Sequence, residues 1–276
     1  EQVKDLPEFL GRHRPEWTVV RWINVDSLGN LDAIRALAAK YELHPLAIED
    51  VLHVPQRPKV DSYGGEKGGL QARLLIITRM LEIHEDRLYN EQISIFLGHK
   101  TVLTFQEAPG DIWGTVRQRI QTKGTRLRLH DASFLTYSLL DAIIDNYFPI
   151  LEHYGDRLES LEERVLGKVD ATIIGDAHLL KRELLVLRHS AWPMREVIQN
   201  LSREPHECLS ETTRTYLRDV FGHSVQIIDI LETYREVAIS ITETYMSAIN
   251  NRLNEIMKVL TIITVVFIPV TFLASV

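Results

Sequence analysis

The side chains of this 276-residue chain best suited to chemistry are carboxylates. Glu49 and Asp50, Asp141, Asp145, Asp219 and Asp229 stand out. Hard divalent cations take oxygen ligands, and Mg²⁺ keeps much of its water shell, so sparse acids can hold it. Taken one at a time, each of these acids also fits a helix cap or a solvated surface position. No enzyme constellation accompanies them. The eleven histidines are scattered with no two three or four apart, and HExxH, CxxC and GxSxG motifs are absent, so an enzyme is not expected. The glycine-rich stretch 64–69 lacks the Gly-Lys-Ser/Thr ending of a phosphate loop. With 38 acids against 31 bases, the net charge of −7 gives no support for nucleic-acid binding. A lone cysteine, Cys208, excludes internal disulfides and fits a reducing cytosol.

A second set of oxygens lies in an apolar setting. From Val259 to Val276 there are 18 residues without a charge, the lower bound for a membrane-spanning helix. Within this run Thr261, Thr264, Thr271 and Ser275 fall inside an arc of roughly 80° on a helix. The same arc takes in Ile268 and, extended by about 20° further back down the helix, Met257, Asn254, Asn250 and Glu243. Around a ring axis such a line would wall a pore, with oxygens for a hydrated cation and Met257 or Ile268 as apolar constrictions. Against the pore, the Thr and Ser hydroxyls could simply bond to their own helix carbonyls, as in any membrane helix; against the span, the run could be a hydrophobic helix in a soluble core. Arg252 and Lys258 just before the run mark its cytoplasmic end, which puts the bulk of the chain in the cytoplasm.

The elements that must position these residues follow from periodicity. Apolar or aromatic residues recur at three- and four-residue steps from Tyr216 to Ile256, with no Gly or Pro between His223 and Ile268, which predicts one very long helix from about Glu211. A rod of that length suits a bundle of identical subunits better than a lone domain. Before it, strands are expected over 17–25, 72–83, 91–97 and 101–106, with a hairpin at Gly98-His99-Lys100. Helices are expected over 31–43, 46–53 and 111–122. This is an α/β domain with a mixed, largely antiparallel sheet. A helix over 132–166, capped by Asp131, and a second over 171–202, kinked or broken at Pro193, would form an antiparallel acidic pair. The expected domains are 1–130, 131–205, a stalk over 206–258, and 259–276 as the start of a first membrane helix.

Four stretches carry a resemblance. HPLAIEDVLHVPQRPKV (44–60), YSLLDAIIDNYF (137–148), WPMREV (192–197) and MKVLTIITVVFIPVTFLAS (257–275) closely resemble the CorA family of divalent-cation channels, over nearly the whole chain from Trp17. The resemblance implies a homopentamer in the cell membrane that takes up Mg²⁺, with Co²⁺ or Ni²⁺ as substitutes, and whose partners are its own copies, the lipid bilayer and the transported ion. It implies that Asp50 faces Asp219 of the partner subunit across a first Mg²⁺ site. Glu49, Asp141 and His223 would build a second site, mostly through water. Loss of these ions would loosen the stalk bundle at Met257 and Leu260, opening a pore lined by the residues named above.

The chain also departs from the family pattern. The family's Gly-Met-Asn signature is expected a few residues beyond Val276, so the sequence reads as a piece of a longer membrane protein. Ser275 stands where glycine is common, Ile268 where methionine is, and Glu243 where an aspartate can occur; the glycine loop at 64–69 reads as an insertion. A zinc exporter of the same superfamily and a soluble metal-sensing oligomeric scaffold are the competing readings.

Overall fold

The computed structural model describes residues 3, 6–11, 19–65, 71–110, 112–167 and 172–274. Eight α-helices and five strands are present among them: α1 (Leu6–Gly11), β1 (Arg21–Val25), α2 (Leu31–Lys40), α3 (Pro45–Leu52), β2 (Lys59–Tyr63), β3 (Arg73–His84), β4 (Arg87–Leu97), β5 (Thr101–Gln106), α4 (Gly114–Gln121), α5 (Ala132–Asp145), α6 (Tyr147–Leu166), α7 (Thr172–Arg203) and α8 (Glu211–Ala274). They divide into two compact units, residues 1–150 with 187–229, and residues 151–186 with 230–276.

The first unit holds a five-stranded sheet in the order β1-β5-β4-β3-β2. β1 and β5 run parallel and every other neighbouring pair is antiparallel, so the sheet is mixed and largely antiparallel. Side chains alternate across a strand, so one face gathers Ile23, Leu75, Ile77, Phe96, Leu103 and Phe105 under Ile34 and Leu37 of α2 and Ala47 and Val51 of α3. α5 lies against β3, β4 and β5, and none of its residues belongs to that cluster. A sheet covered by helices on both faces needs apolar residues at consecutive positions, which is why Leu74 to Ile77 are all buried.

Several expected boundaries shift. The β3–β4 hairpin runs out to a two-residue turn at Glu85 and Asp86, both at positive φ, so β4 starts four residues earlier than its apolar run suggests. Arg87 to Asn90, polar at both ends, pair with β3 in a register that hydrophobic patterning does not report. β2 was expected only as an extended segment, and α1 was not expected. The single helix expected over 132–166 is two helices, α5 and α6, that meet at Asn146. Pro149 has no N–H for the Asp145 carbonyl, and at the junction the Asn146 side-chain amide donates to the Leu81 carbonyl. Pro193, by contrast, lies inside an unbroken α7. Trp17, Asp111 and Ala171, expected at element starts, lie outside the described residues, as do positions 66–69 of the glycine loop.

In the second unit α6 and α7 are antiparallel. Arg157 bonds Glu183 at 2.6 Å and Arg164 bonds Asp176 at 2.8 Å, the pairs stepping seven residues forward along one helix and seven back along the other. The acids Glu152, Asp156, Glu159, Glu162 and Glu163 of α6 are exposed, while Leu151, Leu158, Leu161 and Val165 are buried. They form the solvated face of an amphipathic helix.

Candidate functional site

The N-terminal ends of α5 and α8 are tied together. The Asp131 carboxylate caps α5, accepting from the Phe134 N–H at 3.0 Å and the Ser133 hydroxyl at 2.6 Å. Ser133 Oγ also lies 2.7 Å from Thr213 Oγ1 and 3.1 Å from Ser210 Oγ at the start of α8. One turn on, Tyr216 packs against Phe134 and Tyr137, with ring centroids 5.2 and 5.3 Å apart. The helices therefore run in the same direction with a nearly constant offset. Side chains four apart share a helix face, so Asp141 and Asp145 of α5 come level with Asp219 and His223 of α8.

Asp141, Asp145 and His223 converge, each offering a donor atom within 4.8 Å of the others. Asp141 is mostly buried and Asp145 is exposed. Burial, reinforced by Asp145 and Asp219 and opposed by Arg119 and His223, pushes the Asp141 carboxyl up to about 6. The same field raises Tyr137 to about 12, chiefly by burial and then through Asp141 and Asp219. His223 Nδ1 is buried without a hydrogen-bond partner and sits 3.9 Å from Asp145 Oδ1. The C-terminal end of α5, with its partial negative charge, lies at Asp145. Crowded acids, a helix C-terminus and an unbonded imidazole nitrogen are a setting that a cation relieves. Direct Mg²⁺–oxygen bonds of about 2.0–2.1 Å hold neighbouring donors about 3 Å apart, so the wider spacing suits an ion held partly through water. The imidazole would also suit Co²⁺ or Zn²⁺.

Asp219 is exposed beside this group and acts on it electrostatically. Asp145 joins Asp141 and His223 although the family resemblance implies no ligand role for it; its four-residue spacing from Asp141 is the signal in the sequence. Glu49 and Asp50, on α3, are not part of the group. Glu49 is exposed. Asp50 is engaged locally, with Gln56 Nε2 at 2.9 Å from one oxygen and Lys59 Nζ at 2.7 Å from the other. Burial alone would raise the Asp50 carboxyl; the Lys59 and Gln56 hydrogen bonds outweigh it and hold it below its usual range.

The expected pore residues Glu243, Asn250, Asn254, Met257, Leu260, Thr261, Thr264, Ile268 and Thr271 all lie on α8 and are exposed; Ser275 lies outside the described residues. Thr261, Thr264 and Thr271 donate to the carbonyls of Met257, Leu260 and Phe267 at 2.8 Å, leaving lone pairs free to accept. Among the described residues α8 is the one helix long and apolar enough to cross a membrane, and its apolar segment is wholly exposed.

Comparison with known proteins bears on all of this. Residues 17–276 match the family model described as CorA-like Mg²⁺ transporter protein. The chain is 38% identical over 259 residues to the cobalt/magnesium transport protein CorA of Thermotoga maritima, covering 92% of this chain and 71% of that one. It superposes on the complete structure of the CorA magnesium transporter from Methanocaldococcus jannaschii with a TM-score of 0.79 and 25% identity, over 92% of this chain and 78% of that one. It is also 24% identical, over 68% of its length and 54% of the other's, to the zinc transport protein ZntB of Photorhabdus laumondii. With a family model matched over nearly its whole length, this chain belongs to the CorA-like Mg²⁺ transporter family.

Proposed function

We propose that the chain is one subunit of a homopentameric divalent-cation channel in the cell membrane. Mg²⁺ is the transported ion, with Co²⁺ or Ni²⁺ as substitutes, and Mg²⁺ held by the cytoplasmic part closes the ring. Residues 1–130 are the cytoplasmic α/β domain, 131–205 the helix pair, 206–258 the stalk, and 259–276 enter the bilayer. The observation that carries this reading is α8, a 64-residue helix whose membrane-length end leaves its apolar side chains uncovered. Lipid and neighbouring copies are the surroundings that satisfy such a helix. Glu243, Asn250, Asn254, Thr261, Thr264 and Thr271 then face the shared axis, and Met257, Leu260 and Ile268 narrow it. Asp50 with Asp219 of the partner subunit, and the Asp141–Asp145–His223 group with Glu49 joined to it through water, hold the regulatory ions. For Asp50 this requires a cation to replace Lys59 or to share the carboxylate with it.

The test is the particle mass in detergent and its protease resistance, each with Mg²⁺ and with EDTA. The expected result is a protein mass about five times 31.8 kDa, with slower cleavage in Mg²⁺. A monomer in both conditions, cut at one rate, sinks the reading. A second reading, zinc export, is favoured by the imidazole of His223 among the acids and by the similarity to ZntB. Zn²⁺ protecting at concentrations far below Mg²⁺, together with Zn²⁺ flux in liposomes, would select it.

A further inference from the structure

We infer that Arg119 is a tethered counter-ion of the Asp141–Asp145–His223 group, one that competes with a divalent cation and sets how much of it is needed to fill the site. This rests on the reading of that group as a cation site. Arg119 stands in the last turn of α4, and its carbonyl is fixed by the Thr125 hydroxyl at 2.8 Å. Its guanidinium reaches to 3.8 Å from Asp141 Oδ2, beyond hydrogen-bond range. The two side chains differ in exposure, 55% for Arg119 against 14% for Asp141. The acid is therefore mostly buried while the guanidinium stands at the site's water-facing edge, on a backbone held by Thr125. Its charge still acts there, since Coulomb attraction reaches past hydrogen-bond range and the gap is only 3.8 Å.

Two consequences follow from charge alone. A cation entering between the carboxylates must approach a positive charge already there, and the repulsion scales with the ion's own charge. A divalent ion about 6 Å from one positive charge in water is disfavoured by roughly tenfold in affinity, a monovalent ion by about threefold. Arg119 thus weakens divalent binding more than monovalent binding.

The test uses the whole chain in detergent micelles. Co²⁺ is titrated by its visible absorption, which the His223 imidazole would perturb, and Mg²⁺ is measured by displacing Co²⁺. Arg119→Gln is expected to tighten Mg²⁺ binding by about tenfold at low salt, with Arg119→Lys within about threefold of the parent. The Arg119→Gln gain should shrink as NaCl rises, because screening acts on a partly exposed charge and would not act on a packing change. Arg119→Met serves as a second neutral replacement should Arg119→Gln melt early. If neither neutral variant tightens binding while Asp141→Asn weakens it, the counter-ion role is wrong and the site stands. If Asp141→Asn and His223→Ala leave the Co²⁺ spectrum and affinity unchanged, the site itself is wrong.

Discussion

Cys208 is buried and its thiol donates to the Ala72 carbonyl at 3.3 Å. Burial, eased by Arg73 and reinforced by Glu207, pushes the thiol up to about 11. The thiolate is the reacting species, so a shift of that size leaves about two orders of magnitude less of it at pH 8 than in a free cysteine. A thiol reagent such as DTNB is expected to react at least tenfold faster after denaturation than before; rapid reaction of the folded chain would contradict the burial. Asn146 makes a comparable case for packing. Its amide closes the α5–α6 junction on the Leu81 carbonyl, 65 residues away in sequence, so Asn146→Ala is expected to cost about 1–2 kcal/mol in urea unfolding. Neither partner was legible in the sequence, because nothing local to residue 146 or 208 names a carbonyl on or beside β3. The cation group was half legible. Asp141 and Asp145 sit one turn apart on a readable helix, whereas their meeting with His223 depends on how α5 and α8 pack.

At the scale of elements, periodicity succeeded where one helix face is apolar and failed where backbone pairing or a proline decides. α8 was readable along its length, since its stripe recurs without interruption. The outer half of the β3–β4 ribbon was not, since its pairing carries no apolar alternation: Arg79 of β3 bonds the Asn90 side chain, and Arg87 lies opposite His84. Prolines gave opposite outcomes, Pro149 standing in the first turn of α6, where its missing N–H costs nothing, and Pro193 lying inside an unbroken α7. A glycine decides how closely α6 and α8 approach within the second unit. A Cβ on Gly155 would stand 2.7 Å from the Tyr234 hydroxyl oxygen, closer than packed atoms tolerate. Glycine inside a helix costs about 1 kcal/mol relative to alanine, so the fold gives up propensity for this contact. Gly155→Ala is therefore expected to stabilise the chain by about 1 kcal/mol when Tyr234 is Phe, and to lose most of that gain beside the native Tyr234. Melting curves of the four variants measure the coupling; equal effects in both backgrounds would mean Tyr234 moves aside freely.

For the whole molecule the open question is which face of α8 looks toward its own copies. Among the described residues from 250 to 272 every side chain is exposed, so nothing inside one chain chooses a face. The sequence chooses one by chemistry. Asn254 sits with Asn250 and Thr261 on the polar line, while Arg252 lies about 180° around the helix from Thr261. If identical helices share an axis, a cysteine at 254 meets its counterpart on neighbouring chains, and a cysteine at 252 points away from them. The native Cys208 can stay in such an experiment, because its thiol is buried. Mild oxidation in detergent is then expected to convert Asn254→Cys to covalent dimers and to leave Arg252→Cys largely monomeric. Mg²⁺ should speed the reaction at 254 if ions on the cytoplasmic domains draw the subunits together, and EDTA should slow it. Efficient cross-linking at 252 with none at 254 would put the charged side inward and the asparagines toward the surroundings. No row of oxygens would then line a shared axis, and the ion path proposed for this chain would have to run elsewhere.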